Sequence, residues 1–166
     1  MDFMYYILTI NLMIVASPFL LLRCLISSTF RKDFKARLTG AKTLPKLKES
    51  LWIHACSVGE VRLAKTLITV LKEQGEKRPI VLSTFTPTGY AVAIEENLQH
   101  VFRLPIDIPL WLNPVFDQIE PSQLILIEAE LWPCLLRQCK NRKIPVLQIN
   151  GRITEKSLKS YKKFNK

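Results

Sequence analysis

From residue 51 onward, short apolar runs alternate with longer amphipathic segments, at a spacing of about 20–30 residues. The apolar runs predict strands, and the segments with apolar residues at a helical period predict helices. Because parallel strands are joined by helical crossovers, this alternation predicts a parallel sheet covered by helices on both faces. The sequence therefore predicts an α/β fold with a Rossmann-like sheet over residues 51–166.

The predicted elements follow one another with short connections. The predicted strands are Leu51–Ala55, Pro79–Thr84, Val101–Leu104, Gln123–Glu128 and Pro145–Ile149, and the predicted helices are Ser57–Gln74, Thr86–Leu98, Pro109–Ile119, Leu131–Asn141 and Thr154–Phe164. In open sheets of this kind, ligands bind beyond the carboxyl ends of the strands. The segments that follow the predicted strands are therefore the candidates for a functional site.

The segment before this domain is apolar. Phe3–Leu22 contains no charged residue, and a helix of that length spans roughly 30 Å, the thickness of a bilayer core. Basic residues follow it, which places the later residues in the cytoplasm. The sequence predicts an uncleaved transmembrane helix within a membrane anchor over residues 1–30. The alternatives are a helix lying in the membrane interface and a cleaved signal peptide, although a basic region before the apolar run is missing.

The formal net charge of +10 is divided into blocks. Residues 23–50 carry a net charge of +6, residues 51–136 carry −4, and residues 137–166 carry +9. The first basic block adjoins the apolar segment, so residues 31–50 are predicted to form a juxtamembrane connector that can lie on anionic lipid. No nucleic-acid recognition motif accompanies the second block, so no nucleic-acid partner is expected.

The first strand–helix turn contains Ser57-Val58-Gly59-Glu60. A Ser-x-x-Glu pattern is typical of a capping box, in which each side chain binds the backbone N–H of the other residue. In the alternative interpretation, Gly59 lets a ligand approach the backbone and Glu60 acts as a general base. His54, on the strand before this turn, is interpreted as a packed residue rather than as a base.

The second strand–helix turn is rich in hydroxyl groups. Thr84, Thr86 and Thr88 precede Gly89, and free N–H groups at a helix start together with hydroxyls suit an anion or a sugar. The alternative is that Thr86 caps the helix, with Pro87 in its first turn. The glycine spacing of dinucleotide and P-loop motifs is missing, so no nucleotide cofactor is predicted.

Two carboxylates follow the fourth predicted strand. In an extended segment, residues two apart point the same way, which would bring Glu128 and Glu130 together. Because histidine is missing nearby, no metal site is predicted. Arg152 follows the last strand, where it could clamp a carboxylate or phosphate or could lie in a solvated turn.

Five motifs occur in an order that resembles the N-terminal domain of bacterial 3-deoxy-D-manno-octulosonic acid (Kdo) transferases. They are Trp52–Glu60, Ser83–Gly89, Leu104–Asp107, Glu128–Pro133 and Asn150–Arg152. The resemblance implies the N-terminal half of a two-domain GT-B glycosyltransferase. It also implies inverting transfer of Kdo from CMP-Kdo to a lipid A precursor (lipid IVA) in lipopolysaccharide biosynthesis, at the cytoplasmic face of the inner membrane.

The resemblance implies roles for individual residues. By this resemblance, Glu60 is expected to be the general base and Glu130 is expected to line the same cleft. Residues expected on the acceptor side are Ser57, Gly59, Thr84, Thr86, Thr88, Gly89, Glu128 and Arg152. The sequence departs from the family pattern at Cys134, where asparagine is usual, and at Gly151, where alanine is common.

The family has a second domain, which holds the CMP-sugar and is expected to be absent from these 166 residues. We therefore expect this chain to bind acceptor or membrane without transferring Kdo by itself. Two alternatives remain at this point. One is a truncated, non-catalytic membrane-bound partner protein, and the other is a related glycosyltransferase that acts on another lipid.

Overall fold

The computed structural model describes residues 17–128 and 132–151, together with Asn11 and Val15. Within these residues, no helix combines the length and the apolar character that a membrane crossing requires. More than half of the predicted span Phe3–Leu22 lies outside the described residues.

The described chain begins with two helical segments. Residues 17–26 are helical, and Ser27 separates them from helix α1 (Ser28–Thr39). The Ser27 hydroxyl accepts the backbone N–H of Phe30 at 3.2 Å, which caps α1 because the first N–H groups of a helix lack partners inside it. A short 3-10 helix, Gly40–Thr43, follows α1. The predicted connector thus begins as ordered helix.

The described part of the chain from residue 50 alternates strands and helices as predicted. The elements are β1 (Ser50–Ala55), α2 (Val58–Glu73), β2 (Ile80–Thr84), α3 (Pro87–Glu95), β3 (Val101–Arg103), α4 (Pro109–Ile119), β4 (Pro121–Ile127), α5 (Pro133–Asn141) and β5 (Val146–Ile149). Helix α3 ends earlier than predicted, and Asn97 behind it has a φ of 54°, which is incompatible with continuing the helix. The predicted helix Thr154–Phe164 lies outside the described residues.

The strands form one parallel sheet in the order β3-β2-β1-β4-β5 within the described residues. Helices α2 and α3 cover one face, and α4 and α5 cover the other, since their apolar residues belong to two separate clusters. Right-handed crossovers require this arrangement, because the chain moves outward from β1 to β3 and then returns past β1 to β4. The prediction of a Rossmann-like sheet with helices on both faces is confirmed.

Strand β1 is the centre of the core, and its side chains alternate between the two clusters. Trp52 points to one face, where its ring packs against Phe102 and Phe116 at centroid distances of 5.9 and 5.3 Å. Leu51 and Ile53 point to the opposite face, as the period of two along a strand requires. The strand is buried along its whole length, so the residues at its carboxyl end are held in place by the packed core.

The end of the predicted connector is attached to helix α4. Leu44 is buried in the core cluster on that face of the sheet. The Leu47 N–H donates to the Gln118 carbonyl at 3.0 Å, and the Gln118 side chain donates to the Leu44 carbonyl at 2.7 Å. These contacts join residues 44–47 to the domain before β1 begins.

Candidate active site

The motif residues meet at the carboxyl edge of the sheet, between β1 and β4. These strands are neighbours, and the helices that follow them, α2 and α5, lie on opposite faces. Such a reversal opens a crevice outside the strand ends, where ligands of open α/β sheets bind. The candidate site is therefore built from the turns that follow β1, β2 and β4.

Glu60 lies in the first turn of α2 and is held by the turn that precedes it. Its Oε2 accepts the Cys56 N–H at 2.7 Å, and its Oε1 accepts the Ser57 N–H at 3.2 Å and the Ser57 hydroxyl at 2.7 Å. The Glu60 N–H donates back to the Ser57 hydroxyl oxygen at 3.4 Å. The predicted capping box is confirmed, and it fixes a carboxylate that is only 4% exposed.

Gly59, the residue before Glu60, lies beside open space. A Cβ atom at Gly59 would meet only the Ser57 Oγ, at 4.0 Å, so the space above the glycine is open among the described residues. An ionised carboxylate offers about four lone-pair sites, and the turn occupies three of them in Glu60. The turn therefore leaves one lone-pair site of the carboxylate for another donor, such as a hydroxyl group.

The hydroxyl-rich turn after β2 is tied to the Glu60 turn through one carbonyl. The Cys56 carbonyl accepts both the Thr86 N–H at 3.0 Å and the Thr86 hydroxyl at 2.8 Å. The Thr86 Oγ1 also accepts the Gly89 N–H at 3.1 Å, so the predicted helix cap is confirmed. Thr88 is exposed beside it, whereas the Thr84 hydroxyl is buried with no partner among the described residues.

Gly89 differs from Gly59 because it is buried against the neighbouring turn. A Cβ atom at Gly89 would lie 2.9 Å from the Thr86 Oγ1 and 3.1 Å from the Cys56 carbonyl oxygen. Real Cβ atoms almost never come as close as 2.9 Å to another heavy atom, and 3.1 Å is tighter than most real Cβ contacts, so glycine allows the two turns to touch. The visible role of Gly89 is to support the site.

Strand β4 ends at Ile127, one residue earlier than the sequence predicts, and Glu128 follows it. Its φ is 64°, its N–H donates to the Ile149 carbonyl at 2.9 Å, and its carbonyl accepts the Gln148 side chain at 2.8 Å. The extended geometry expected for Glu128 and Glu130 is therefore wrong at Glu128, because a left-handed residue ends the alternation of side chains. Glu130 and Arg152 lie outside the described residues.

An aromatic surface lies between the turns after β2 and β4. The Phe85 and Trp132 rings have a centroid distance of 4.9 Å, and the Trp132 ring meets the His54 ring edge-on at 6.0 Å. The Trp132 Nε1 is buried with no hydrogen-bond partner among the described residues. No local pattern in the sequence indicated that Phe85 and Trp132 pack together, since they are 47 positions apart.

His54 is a packed strand residue, as the sequence indicated. Its Nδ1 lies 2.8 Å from the Ser83 Oγ, which also accepts the Trp52 indole N–H at 2.8 Å. Burial lowers the pKa of His54 to about 4, and a hydrogen bond with the Ser83 backbone opposes this shift only in part. The imidazole is therefore neutral near pH 7 and supports the Trp132 ring without carrying charge.

Asp107 holds the start of α5 in place. Its Oδ2 accepts the Cys134 N–H and its Oδ1 accepts the Leu135 N–H, both at 2.9 Å. Helix α5 has no side-chain cap at Trp132, so this carboxylate from the loop before α4 supplies one. The sequence motif contained Asp107 but did not indicate its role. The one clue in the sequence was that a single acidic residue lies between apolar residues, which is unusual unless the acid has a partner.

Replacing Asp107 by alanine is expected to lower the free energy of unfolding by about 2 kcal/mol, because two helix N–H groups would lose a charged acceptor. Urea denaturation of the chain in mild detergent measures this change. Asp117→Ala is the matched control, since this carboxylate is 70% exposed and lies 3.7 Å from Arg142. We expect that control to change the free energy by less than about 0.5 kcal/mol, and equal effects of the two variants would contradict the capping role.

Cys134, which departs from the family pattern, does not alter the surface of this edge. The residue is 1% exposed and its side chain belongs to the apolar cluster beneath α4 and α5. The described residues contain no group of three or more His, Cys, Asp or Glu side chains that could hold a metal ion.

A cavity of about 350 Å³ opens elsewhere, at the amino ends of β2 and β3. Its lining includes Lys72, Arg78 and His100 and none of the five motifs. Arg78 there is engaged by Glu76, with Nη2 and Oε2 2.6 Å apart. We place the site at the opposite edge because the motif residues and the reversal of helix faces coincide there.

The sequence of this chain matches the model of a known protein family. The family model for 3-deoxy-D-manno-octulosonic-acid transferases (kdotransferases) matches residues 32–166. The chain belongs to this family. The match begins within α1 and includes every described element of the candidate site.

Relatives of known sequence cover most of this chain. A 3-deoxy-D-manno-octulosonic acid transferase from Haemophilus influenzae is 34% identical over 118 residues, 69% of this chain and 27% of the relative. One from Chlamydia pneumoniae is 28% identical over 165 residues, 95% of this chain and 37% of the relative. A bifunctional glycosyltransferase/methyltransferase from Fusobacterium nucleatum is 34% identical over 122 residues, 71% of this chain and 19% of the relative. The chain thus matches less than two fifths of the length of each of these relatives.

Proposed function

We propose that this chain is the acceptor-binding half of an inverting Kdo transferase. In this proposal, Kdo moves from CMP-Kdo to a hydroxyl group of the lipid A precursor lipid IVA during lipopolysaccharide biosynthesis. The observation that carries the proposal is the Glu60 carboxylate, which the β1–α2 turn holds in one orientation at the reversal point of the sheet. Family membership supports the reaction class.

Glu60 is the group that would accept the acceptor proton. As the acceptor oxygen forms its bond to the anomeric carbon of Kdo, the bond from that carbon to the CMP phosphate oxygen breaks, and CMP leaves with the electron pair. The proton of the attacking hydroxyl passes to the Glu60 carboxylate. The capping hydrogen bonds serve this step because they hold the carboxylate in one orientation before the acceptor arrives.

The surfaces beside Glu60 suit a sugar headgroup. The partly exposed Trp132 ring, with Phe85 packed beside it, offers an apolar face on which a sugar ring can pack, and Thr88 offers an exposed hydroxyl. By resemblance, Glu130 and Arg152 would complete the acceptor side. CMP-Kdo would be held mainly by the part of the relatives that this chain does not match.

The N-terminal helical segment is proposed to meet the inner membrane, with the domain on its cytoplasmic side. Its apolar side chains are exposed, and the exposed basic residues of α1 follow directly. The exposed apolar residues are Val15, Phe19, Leu21, Leu22, Leu25 and Ile26, and the exposed basic residues are Arg31, Lys32 and Lys35. Sedimentation with anionic lipid vesicles tests this contact, and a chain that stays in the supernatant would contradict it.

The test of the reaction is a transfer assay on this chain joined to the donor region of the Haemophilus influenzae relative. With CMP-Kdo and lipid IVA, we expect mass spectrometry to show the acceptor gain one or more Kdo residues. The 166 residues by themselves are expected to bind acceptor vesicles and to transfer nothing. Modification of another lipid in place of lipid IVA would refute the acceptor, and transfer by the 166 residues without a donor region would refute the division of roles.

A further inference from the structure

A cluster of charged side chains connects helix α1 to the site. On α1, the Arg37 Nε lies 3.0 Å from the Asp33 Oδ2. At the end of β3, the Arg103 Nη1 lies 2.6 Å from the Asp33 Oδ1. Both guanidinium groups also donate to the Phe85 carbonyl, with the Arg37 Nη2 at 2.7 Å. The two arginines thus share one carboxylate and one backbone oxygen of the site.

This cluster is largely shielded from water. Arg103 is 3% exposed, and the Arg37 and Asp33 side chains are 13% and 21% exposed. Burial lowers the pKa of Arg103, and the neighbouring Arg37 charge lowers it further, whereas Asp33 opposes the shift. Arginine remains charged in proteins, and a buried charge is costly unless it is paired. The contacts of both guanidinium groups with oxygen atoms therefore stabilise the cluster.

The ring of Phe85 extends the connection into the site. The Arg37 guanidinium lies over this ring at 4.1 Å from its centroid, while the Trp132 ring packs at 4.9 Å. The next residue, Thr86, caps α3 and binds the Cys56 carbonyl beside Glu60. Arg37 therefore contacts Phe85 through both its carbonyl and its ring, and Phe85 contacts the aromatic surface and the capped turn.

We propose that Arg37 is a positioning residue, which couples the seating of α1 to the geometry of the Phe85–Thr86 turn and the Trp132 ring. A single non-helical residue, Ser27, separates α1 from the mostly apolar helical residues 17–26. Movement of the lipid-facing segment would therefore reach the acceptor side of the site through Arg37. This inference rests on the proposed function for its kinetic consequence, but its structural consequence can be tested separately.

Hydrogen exchange on the 166-residue chain in detergent micelles tests the structural part. In Arg37→Ala, we expect the Thr86 and Gly89 amides to exchange about tenfold faster than in the unchanged chain, while the β1 amides keep their rates. Lys35→Ala is the matched control, because it removes the same charge from an exposed position of the same helix. Equal exchange of the turn in both variants would overturn the proposal.

The kinetic part uses the chain joined to the donor region, with acceptor in vesicles. Arg37→Ala is expected to raise the acceptor KM about tenfold while changing kcat by less than about threefold. The control here is Lys72→Ala, which removes the same charge from an exposed position away from the proposed membrane contact and should change both constants by less than about threefold. Arg37→Lys keeps the charge but lacks the planar fork and the stacking surface, so we expect it to resemble Arg37→Ala. Wild-type KM in Arg37→Lys, or an equal KM rise in Lys72→Ala, would show that charge alone matters and would overturn the proposal.

The two proposals fail in different ways. If the joined protein transfers no Kdo while Arg37→Ala still loosens the turn, the proposed function fails and the structural coupling stands. If transfer proceeds and neither exchange nor KM responds to Arg37→Ala, the coupling fails and the proposed function stands.

Discussion

Replacing Glu60 by glutamine in the chain joined to a donor region is expected to lower kcat by two to four orders of magnitude, the usual contribution of a general base. Glutamine has nearly the same shape as glutamate, but its amide cannot take up the acceptor proton. One amide oxygen can still accept from Ser57, so the first turn of α2 should persist. The acceptor KM should change much less than kcat, because the lost interaction belongs to the transition state.

The measurement is initial-rate transfer at saturating CMP-Kdo, accompanied by urea denaturation of each variant. Glu73→Gln is the matched control, since it removes an exposed carboxylate from the last turn of the same helix. That variant should transfer Kdo at close to the unchanged rate. Turnover of Glu60→Gln within about threefold of the unchanged protein would remove Glu60 from the role of base. If Glu60→Gln unfolded while Glu73→Gln did not, the main role of Glu60 would be to cap α2 rather than to act as the base.

Lowering the pH from 7 to 5 is expected to reduce the free energy of unfolding by about 2 kcal/mol through His54 alone. Burial lowers the pKa of this imidazole from 6.5 to about 4 in the folded protein. Between these two pKa values, His54 is protonated in the unfolded chain but not in the folded protein. The stability contributed by neutral His54 is therefore lost as the pH falls. The contribution is fully present above the unfolded pKa and is exhausted below about pH 4.

Urea denaturation at a series of pH values gives the free energy of unfolding as a function of pH. The effect of His54 is isolated when the slope of this dependence is compared between two variants. His54→Asn keeps a polar group toward Ser83 and should lose the dependence between pH 7 and pH 5. His100→Asn, at the second of the two histidines, should retain it. Asparagine suits that position, because His100 has a φ of 52° and asparagine tolerates left-handed backbone. An unchanged slope in His54→Asn would mean that this imidazole titrates alike in the folded and unfolded chains.

Local patterns predicted the sheet and two of its turns with good accuracy. The alternation of apolar and amphipathic segments is sufficient for parallel strands with helices on both faces, since each period selects one element type. The capping box at Ser57 and Glu60 and the cap at Thr86 were also predictable, because the groups involved lie within three residues of one another. The turn residues could likewise be assigned to the carboxyl edge of the sheet, because each of them directly follows a predicted strand.

The features that the sequence predicted wrongly or did not predict depend on contacts between distant residues. The pairing of Glu128 with Glu130 assumed an extended strand, whereas Glu128 adopts a left-handed conformation where its N–H binds Ile149 of the neighbouring strand. The cap from Asp107 to α5 spans 27 residues of sequence. The contact of Arg37 with the Phe85 carbonyl spans 48 residues. No local period contains information about such partners.

The sequence by itself determined the element types, the parallel topology, the capped turns and, through its motifs, membership of the Kdo transferase family. Only the tertiary structure decided which side chains support the site, namely that Asp107 caps α5 and that Arg37 and Arg103 hold Phe85. The physical reason is that secondary structure follows from interactions within a few residues, whereas a buried carboxylate or guanidinium takes its partners from whichever elements the folded sheet brings beside it.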